Sequence, residues 1–355
     1  GQFFENPEGN TTVVTTKDVS STGYSSGVIN YLNKFGRTGP TFGRYKQFDP
    51  VGELHYEVVR YLQGLDPTSL AVSKITGTKD ADFSLRDGFP AYTAWTDPYG
   101  DGRTKDSDYS CVKSNIVVVG GMNTDDGNRF PTEDIDNNIF SATEWRDVVV
   151  KFEQNTSGTY FDGQGVKRSI SNPNAANANV PSSKLMGSAY WSHTHDIRGT
   201  DWINNKEKQR PGLRVKTFTF DVNESSFSDN DENRRTKNQF FMASKYGGFE
   251  SDPSNYGGNP YNTYGNPFID ERTSTKTTNN KIWQEVDTVK FPDRAGEAST
   301  YYLQKDGRQV LAAFDEIFNR ASSKAQSIAK PGANRSSVVV GNSALIYQGR
   351  FDTGD

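Results

Sequence analysis

Four consecutive β-branched residues, Ile116-Val117-Val118-Val119, closed by Gly120-Gly121, constrain this chain more than any other stretch. A run without polar alternation reads as a strand covered on both faces, and such strands belong to parallel sheets flanked by helices. Helical spacing on both sides of the run agrees. Ahead of it, Asp49 is an N-cap candidate and Pro50 a first-turn residue; Leu54, Val58, Tyr61 and Leu62 then form an apolar stripe that Gly64 stops. Behind it, Ser141 and Glu144 have capping-box spacing before a stripe of Trp145, Val148, Val149 and Phe152.

The alternation continues. A helix is expected over 183–193, a strand over 215–222, and a helix over 238–246 that Gly247-Gly248 would end. A short strand at 301–303 precedes a helix capped by Asp306, with Val310, Leu311, Phe314, Ile317, Phe318 and Ala321 on one face. Strands alternating with helices give an α/β class with a mostly parallel sheet and helices on both faces. Ligands in such sheets bind at the carboxyl ends of strands, so the loops after Val119 and Val222 are the places to search.

Composition narrows the function. Lys and Arg total 40 against 44 Asp and Glu, a net charge of −4 without a basic stripe, which argues against nucleic-acid binding. Only 33% of residues are apolar, yet 22 Phe, 17 Tyr and 5 Trp supply a core, so the polar excess is expected in long loops. No run reaches the roughly 20 apolar residues that span a bilayer. Cys111 is the single cysteine, which excludes an internal disulfide and a multi-cysteine zinc site. Low cysteine with abundant Asn, Thr, Tyr and Gly suits an exported bacterial surface protein.

Four constellations carry possible chemistry, each beside a structural explanation. His193, His195 and Asp196 offer two imidazoles and a carboxylate for a metal or an activated water, and a polar helix end explains them equally. Asp97, Asp101, Gly102 and Asp108 fall at positions 1, 5, 6 and 12 of an EF-hand-like loop, but Tyr99, Arg103 and Lys105 spoil it and a solvated turn is preferred. Asp229-Asn230-Asp231-Glu232 reads as a solvated acidic loop. Asp18-Val19-Ser20-Ser21-Thr22 matches the Asp-x-Ser-x-Ser/Thr pattern of a metal-ion-dependent adhesion site without the buried strand that must precede it. No Gly-x-Ser-x-Gly elbow, phosphate-binding glycine loop or HExxH is present.

Several stretches, taken in order, resemble the PilY/PilC family of type IV pilus tip-associated proteins. They are 26–36, 48–62, Asp87-Gly88-Phe89-Pro90, 111–124, 189–198, 216–222, 238–249 and 314–318. The resemblance implies a von Willebrand factor A-like domain over 26–330, with insertions at about 155–181 and 249–297. Residues 1–25 read as an extended lead-in, and 331–355 as a linker toward a C-terminal β-propeller that this sequence lacks. It further implies a role in pilus assembly, extension and surface adhesion at the cell surface, pilus tip or outer membrane. The implied partners are minor pilins or the tip complex, a host or abiotic surface, and the propeller.

Departures from the family pattern bear on the metal. The strand bearing Asp-x-Ser-x-Ser has no counterpart upstream of Asn30, and Gly120-Gly121 stands where relatives have Gly-Asp. Asp49 lies where such a domain presents a metal-coordinating Thr, so it is the candidate ligand for Mg²⁺ or Ca²⁺ at an incomplete site, with N-capping as the plainer role. By resemblance, Cys111 would pair with a cysteine upstream of Gly1. Three function classes follow: a non-enzymatic pilus interaction domain, a carbohydrate- or matrix-binding adhesin using Tyr256, Tyr261 and Tyr264, and a metal-assisted hydrolase built on His193 and His195. The first is favoured, because three histidines assemble no complete catalytic set.

Overall fold

A computed structural model describes residues 50–76, 93–100, 102, 109, 114–122, 126, 130, 140–153, 158–161, 167–170, 183–200, 202–223, 226–250, 267–268, 280–289, 291–303 and 307–326. Its elements in chain order are α1 (Val51–Leu62), the single-turn α2 (Ser69–Val72), β1 (Ser114–Gly120), α3 (Ala142–Glu153), β2 (Gly158–Phe161), β3 (Lys167–Ile170) and α4 (Lys184–Thr194). They continue with β4 (Val215–Asp221), α5 (Asp231–Lys237), α6 (Gln239–Gly248), β5 (Tyr301–Leu303) and α7 (Gly307–Gln326). β1, β4 and β5 form a parallel sheet in that order, with Ser114 opposite Val215 and Thr219 opposite Tyr301. β2 and β3 make a separate antiparallel pair. The class is α/β, as the alternating pattern requires.

Helices lie on both faces of the sheet. Strand alternation sends Ile116 and Val118 of β1, with Val215 of β4, into a large core shared with α1, α3, α4 and α6. Phe218 and Phe220 point the other way and pack with Tyr302, Ala313 and Ile317, so α7 covers that face. α4 is buried from Leu185 to Thr194, enclosed by α1, α3, α6 and β4, and Ser183 Oγ caps it through Leu185 N–H. Each bulky apolar side chain fully withdrawn from water contributes roughly 2–3 kcal/mol, which makes Trp191, Phe152 and Met186 principal anchors. Gly187 lets α3 approach: a Cβ there would lie 2.2 Å from Ala142 O.

Four local readings need correction. The stripe Leu54, Val58 and Tyr61 is the outer face of α1, with Leu54 half exposed; the inner face carries His55, Tyr56, Val59 and Arg60. β1 is not covered on both faces, since Val119 is 49% exposed beyond the reach of α7. Gly247 and Gly248 do not stop α6 but complete it. A Cβ on Gly248 would stand 2.2 Å from Thr300 Oγ1, so close packing, not helix termination, requires glycine. On α7 the buried line is Ala313 and Ile317, while Leu311 and Phe318 face outward.

Candidate functional site

The carboxyl end of the sheet gathers two helix N-termini. Gly120 closes β1 opposite Asp221, and a Cβ on Gly120 would touch Val51 at the start of α1 and Phe240 at the start of α6. Helix N-termini attract anions because their first amides lack intrahelical acceptors. Here the chain supplies those acceptors. The N-cap of α1 is Pro50, one position later than the sequence reading placed it, and it offers no side-chain bond. Asp126 reaches back instead, its Oδ1 accepting from Gly52 N–H at 2.8 Å and Glu53 N–H at 3.2 Å. Burial raises the Asp126 carboxyl above the ordinary carboxylate value, with the Glu53 charge adding, against the two amides and Lys184.

α6 is capped by Asn238, whose Oδ1 accepts from Phe240 N–H at 2.7 Å and Phe241 N–H at 3.2 Å. Its Nδ2 donates to Asp221 Oδ2 at 2.7 Å. Asp221 is wholly buried and accepts four bonds, the others from Ser228 Oγ, Tyr301 Oη and Asn223 N–H at 2.7, 2.9 and 2.8 Å. Burial first, then the neighbouring Asp221 charge, pushes the Tyr301 hydroxyl well above its usual range, so it stays a donor. Arg234 encloses the network, donating to Ser228 O at 2.7 Å and gripping Glu297 through two bonds at 3.0 and 2.7 Å. Every polar group named here faces inward. The arrangement ties the loop after β4 to the start of α6 and to β5 through buried hydrogen bonds.

The sequence candidates disperse. His193 places its ring nitrogens 3.0 Å from Val215 O and 2.6 Å from Phe249 O, His195 stacks on Trp191 with Nδ1 2.9 Å from Thr194 Oγ1, and Asp196 Oδ2 accepts from Gly212 N–H. They point to three different neighbourhoods and are not brought together as a cluster. Asp97 is half of a partly buried pair with the fully enclosed Arg198, whose Nη1 lies 3.0 Å from Asp97 Oδ2 and whose Nε donates to Leu62 O at 2.7 Å, while Asp101 and Asp108 lie outside the described residues. Burial alone would raise the Asp97 carboxyl; the Arg198 and Tyr99 hydrogen bonds outweigh it and hold the group low. Asp229 accepts from Asn223 Nδ2, Asn230 caps α5, and Asp231 pairs with Arg234, so that run is a structured turn. Asp49, Tyr256, Tyr261, Tyr264, Cys111 and the 18–22 motif lie outside the described residues.

Among the described residues no group of three or more His, Cys, Asp or Glu is placed to hold a metal. No helix of the described residues is long and apolar enough to cross a membrane. Residues 1–200 match the family model described as PilY1 homolog, second domain. The chain belongs to this family. The PilY1-homolog assignment extends past the model's limits in a second comparison. The whole chain aligns at 26% identity over 378 positions with a protein of Xylella fastidiosa (strain Temecula1) described as a type IV pilus biogenesis factor PilY1 homolog. The chain spans 27% of that relative's length. No solved structure matches this PilY1-homolog domain.

The residues that organise the sheet end were not singled out in advance. Asp126 had a signal, an acidic Asn123-Thr124-Asp125-Asp126-Gly127 loop directly after a buried strand. Asp221 had one too, a carboxylate ending an apolar strand. Neither signal tells that Asp126 will cap α1 or that Asp221 will hold Asn238, the cap of α6.

Proposed function

We propose that this chain is a non-enzymatic interaction domain of the type IV pilus system, acting in pilus assembly and extension and in surface adhesion at the pilus tip. Membership of the PilY1-homolog family and the description of the Xylella relative as a type IV pilus biogenesis factor support the pilus connection. The observation that carries the non-enzymatic part is the closure of the sheet end. Both helix N-termini where an α/β protein would receive an anionic ligand are occupied by the chain's own Asp126 and Asn238.

In this reading the domain is exported and works at the bacterial surface. It contacts minor pilins or the tip complex, a host or abiotic surface, and a β-propeller elsewhere in the full polypeptide. Its fold is von Willebrand A-like, a reading supported by the parallel β1-β4-β5 order with helices on both faces. Tyr256, Tyr261 and Tyr264 are its proposed contact residues, because tyrosines make large contacts at low entropic cost. The test is genetic. A strain lacking the gene should lose surface pili and twitching, and a Tyr256→Ser, Tyr261→Ser, Tyr264→Ser triple variant should assemble pili but adhere less. Normal piliation, twitching and adhesion in the deletion strain would sink the proposal.

A further inference from the structure

Between α6 and β5 the polypeptide contributes Phe249, Phe268, Ile282 and Trp283 to the large core. Its ends meet there: Glu250 N–H donates to Ile282 O at 2.6 Å, and Ser299 N–H donates to Trp283 O at 2.8 Å. Beside this junction a lysine sits in an aromatic cage. Lys245 Nζ lies 4.7 Å from the centre of the Trp283 ring, 5.0 Å from Phe268 and 5.7 Å from Tyr246. It donates to Glu153 Oε1 at 2.6 Å, and the same oxygen accepts from Tyr246 Oη at 2.6 Å. The three rings are buried, and the Lys245 and Glu153 side chains are each 13% exposed.

An ammonium among aromatic faces, with one carboxylate, is the chemistry by which proteins recognise alkylammonium ions. Here the cation belongs to the protein. Its neighbours on α6, Met242, Ala243 and Tyr246, are buried. A methionine at 245 would fill the same space, so packing alone does not call for a charge. The cage walls come from three separate stretches: Glu153 on α3, Tyr246 on α6, and Phe268 with Trp283 on the returning chain. Among the described residues, Lys216 and Glu250 form a second ion pair close by at 2.5 Å, and the His193 ring lies 2.6 Å from Phe249 O, so the titratable groups at the junction are Lys216, Glu250, His193, Tyr246, Lys245 and Glu153.

We propose that Lys245 is an internal cation ligand locking the returning chain at Phe268 and Trp283 onto α3 and α6, and that this lock opens as a unit while the parallel sheet stays closed. The sheet ladder contains none of the cage residues, and the one ring that also meets α4, Tyr246 with its centre 5.4 Å from that of Tyr190, belongs to α6 and stays in place when Phe268 and Trp283 leave, so opening the lock leaves the ladder intact. This device is independent of any pilus role.

Hydrogen exchange on the purified chain tests it. In Lys245→Met, exchange in peptides carrying the Glu250 and Ser299 amides should rise at least about tenfold, while peptides carrying Val118 and Thr219 keep their protection. In Lys245→Ala the cage is vacated, and n-butylammonium should restore protection where uncharged n-butanol does not. Unchanged exchange in Lys245→Met, equal loss in lock and sheet, or equal rescue by the alcohol would each overturn the proposal.

Discussion

His55 and His193 are buried imidazoles whose protonation the fold resists. Burial lowers His55, 3.1 Å from Thr217 Oγ1, to about 3. Burial likewise lowers His193 to about 4, with the Phe249 carbonyl, Val215 carbonyl and Glu250 pulling up and Lys216 pulling down. In the unfolded chain both titrate near 6.5. The unfolded state therefore binds protons that the folded state refuses, so this stability is complete above pH 6.5 and is lost as pH falls toward 4 and then 3. Calorimetry should show Tm falling from pH 7 to 4.5, with uptake of up to about two protons on unfolding, and His55→Gln should flatten the slope. The raised carboxyls of Asp126 and Asp196 act oppositely, recovering some stability on acidification just above 3.8. Asp221 is the other residue-scale test. Asp221→Ala leaves Ser228, Asn238 and Tyr301 donors buried without their acceptor and should cost about 3 kcal/mol in urea unfolding.

At the scale of elements, the contact between α3 and α4 depends on one missing side chain. Gly187→Ala would drive a methyl against the backbone at Ala142 and Arg146, and should destabilise the chain by about 3 kcal/mol by denaturant titration, with α-helical content retained. The same contact shows what was legible beforehand. α3 and its buried Trp145, Val148, Val149 and Phe152 follow from spacing because that helix has one wet and one dry side. α1 does not, because its dry side mixes polar groups with Val51, Tyr56 and Val59: His55 meets Thr217, and the Gln63 amide following the helix donates to Ile197 O at 3.1 Å, leaving Leu54 and Val58 to the outside. Periodicity finds a stripe but not the neighbour that covers it. Asp126 was illegible as a cap for a related reason, since it bonds to backbone 74 positions away, whereas Asn238 caps the amides two and three residues ahead of it at the start of an expected helix.

At the scale of the whole molecule, the closed sheet end bears on the cation. Gly121 supplies no carboxylate and Asp126 is turned to the α1 amides, so melting curves in millimolar Mg²⁺, in Ca²⁺ and with a chelator should coincide. A Tm several degrees higher with either ion would bring Asp49 back as a ligand. The strand order has a further effect, on how the chain reaches this state. Ser114 finds its partner at Val215, 101 positions later, and Thr219 finds Tyr301, 82 positions later. Such pairings carry the full entropy of closing long loops before any ladder bond rewards it, so folding is slow in comparison with the helical pairs that form locally. While β4 awaits, Phe218 and Phe220 and the valines of β1 are exposed together, and a newly made chain is open to association with its neighbours until α7 closes over them.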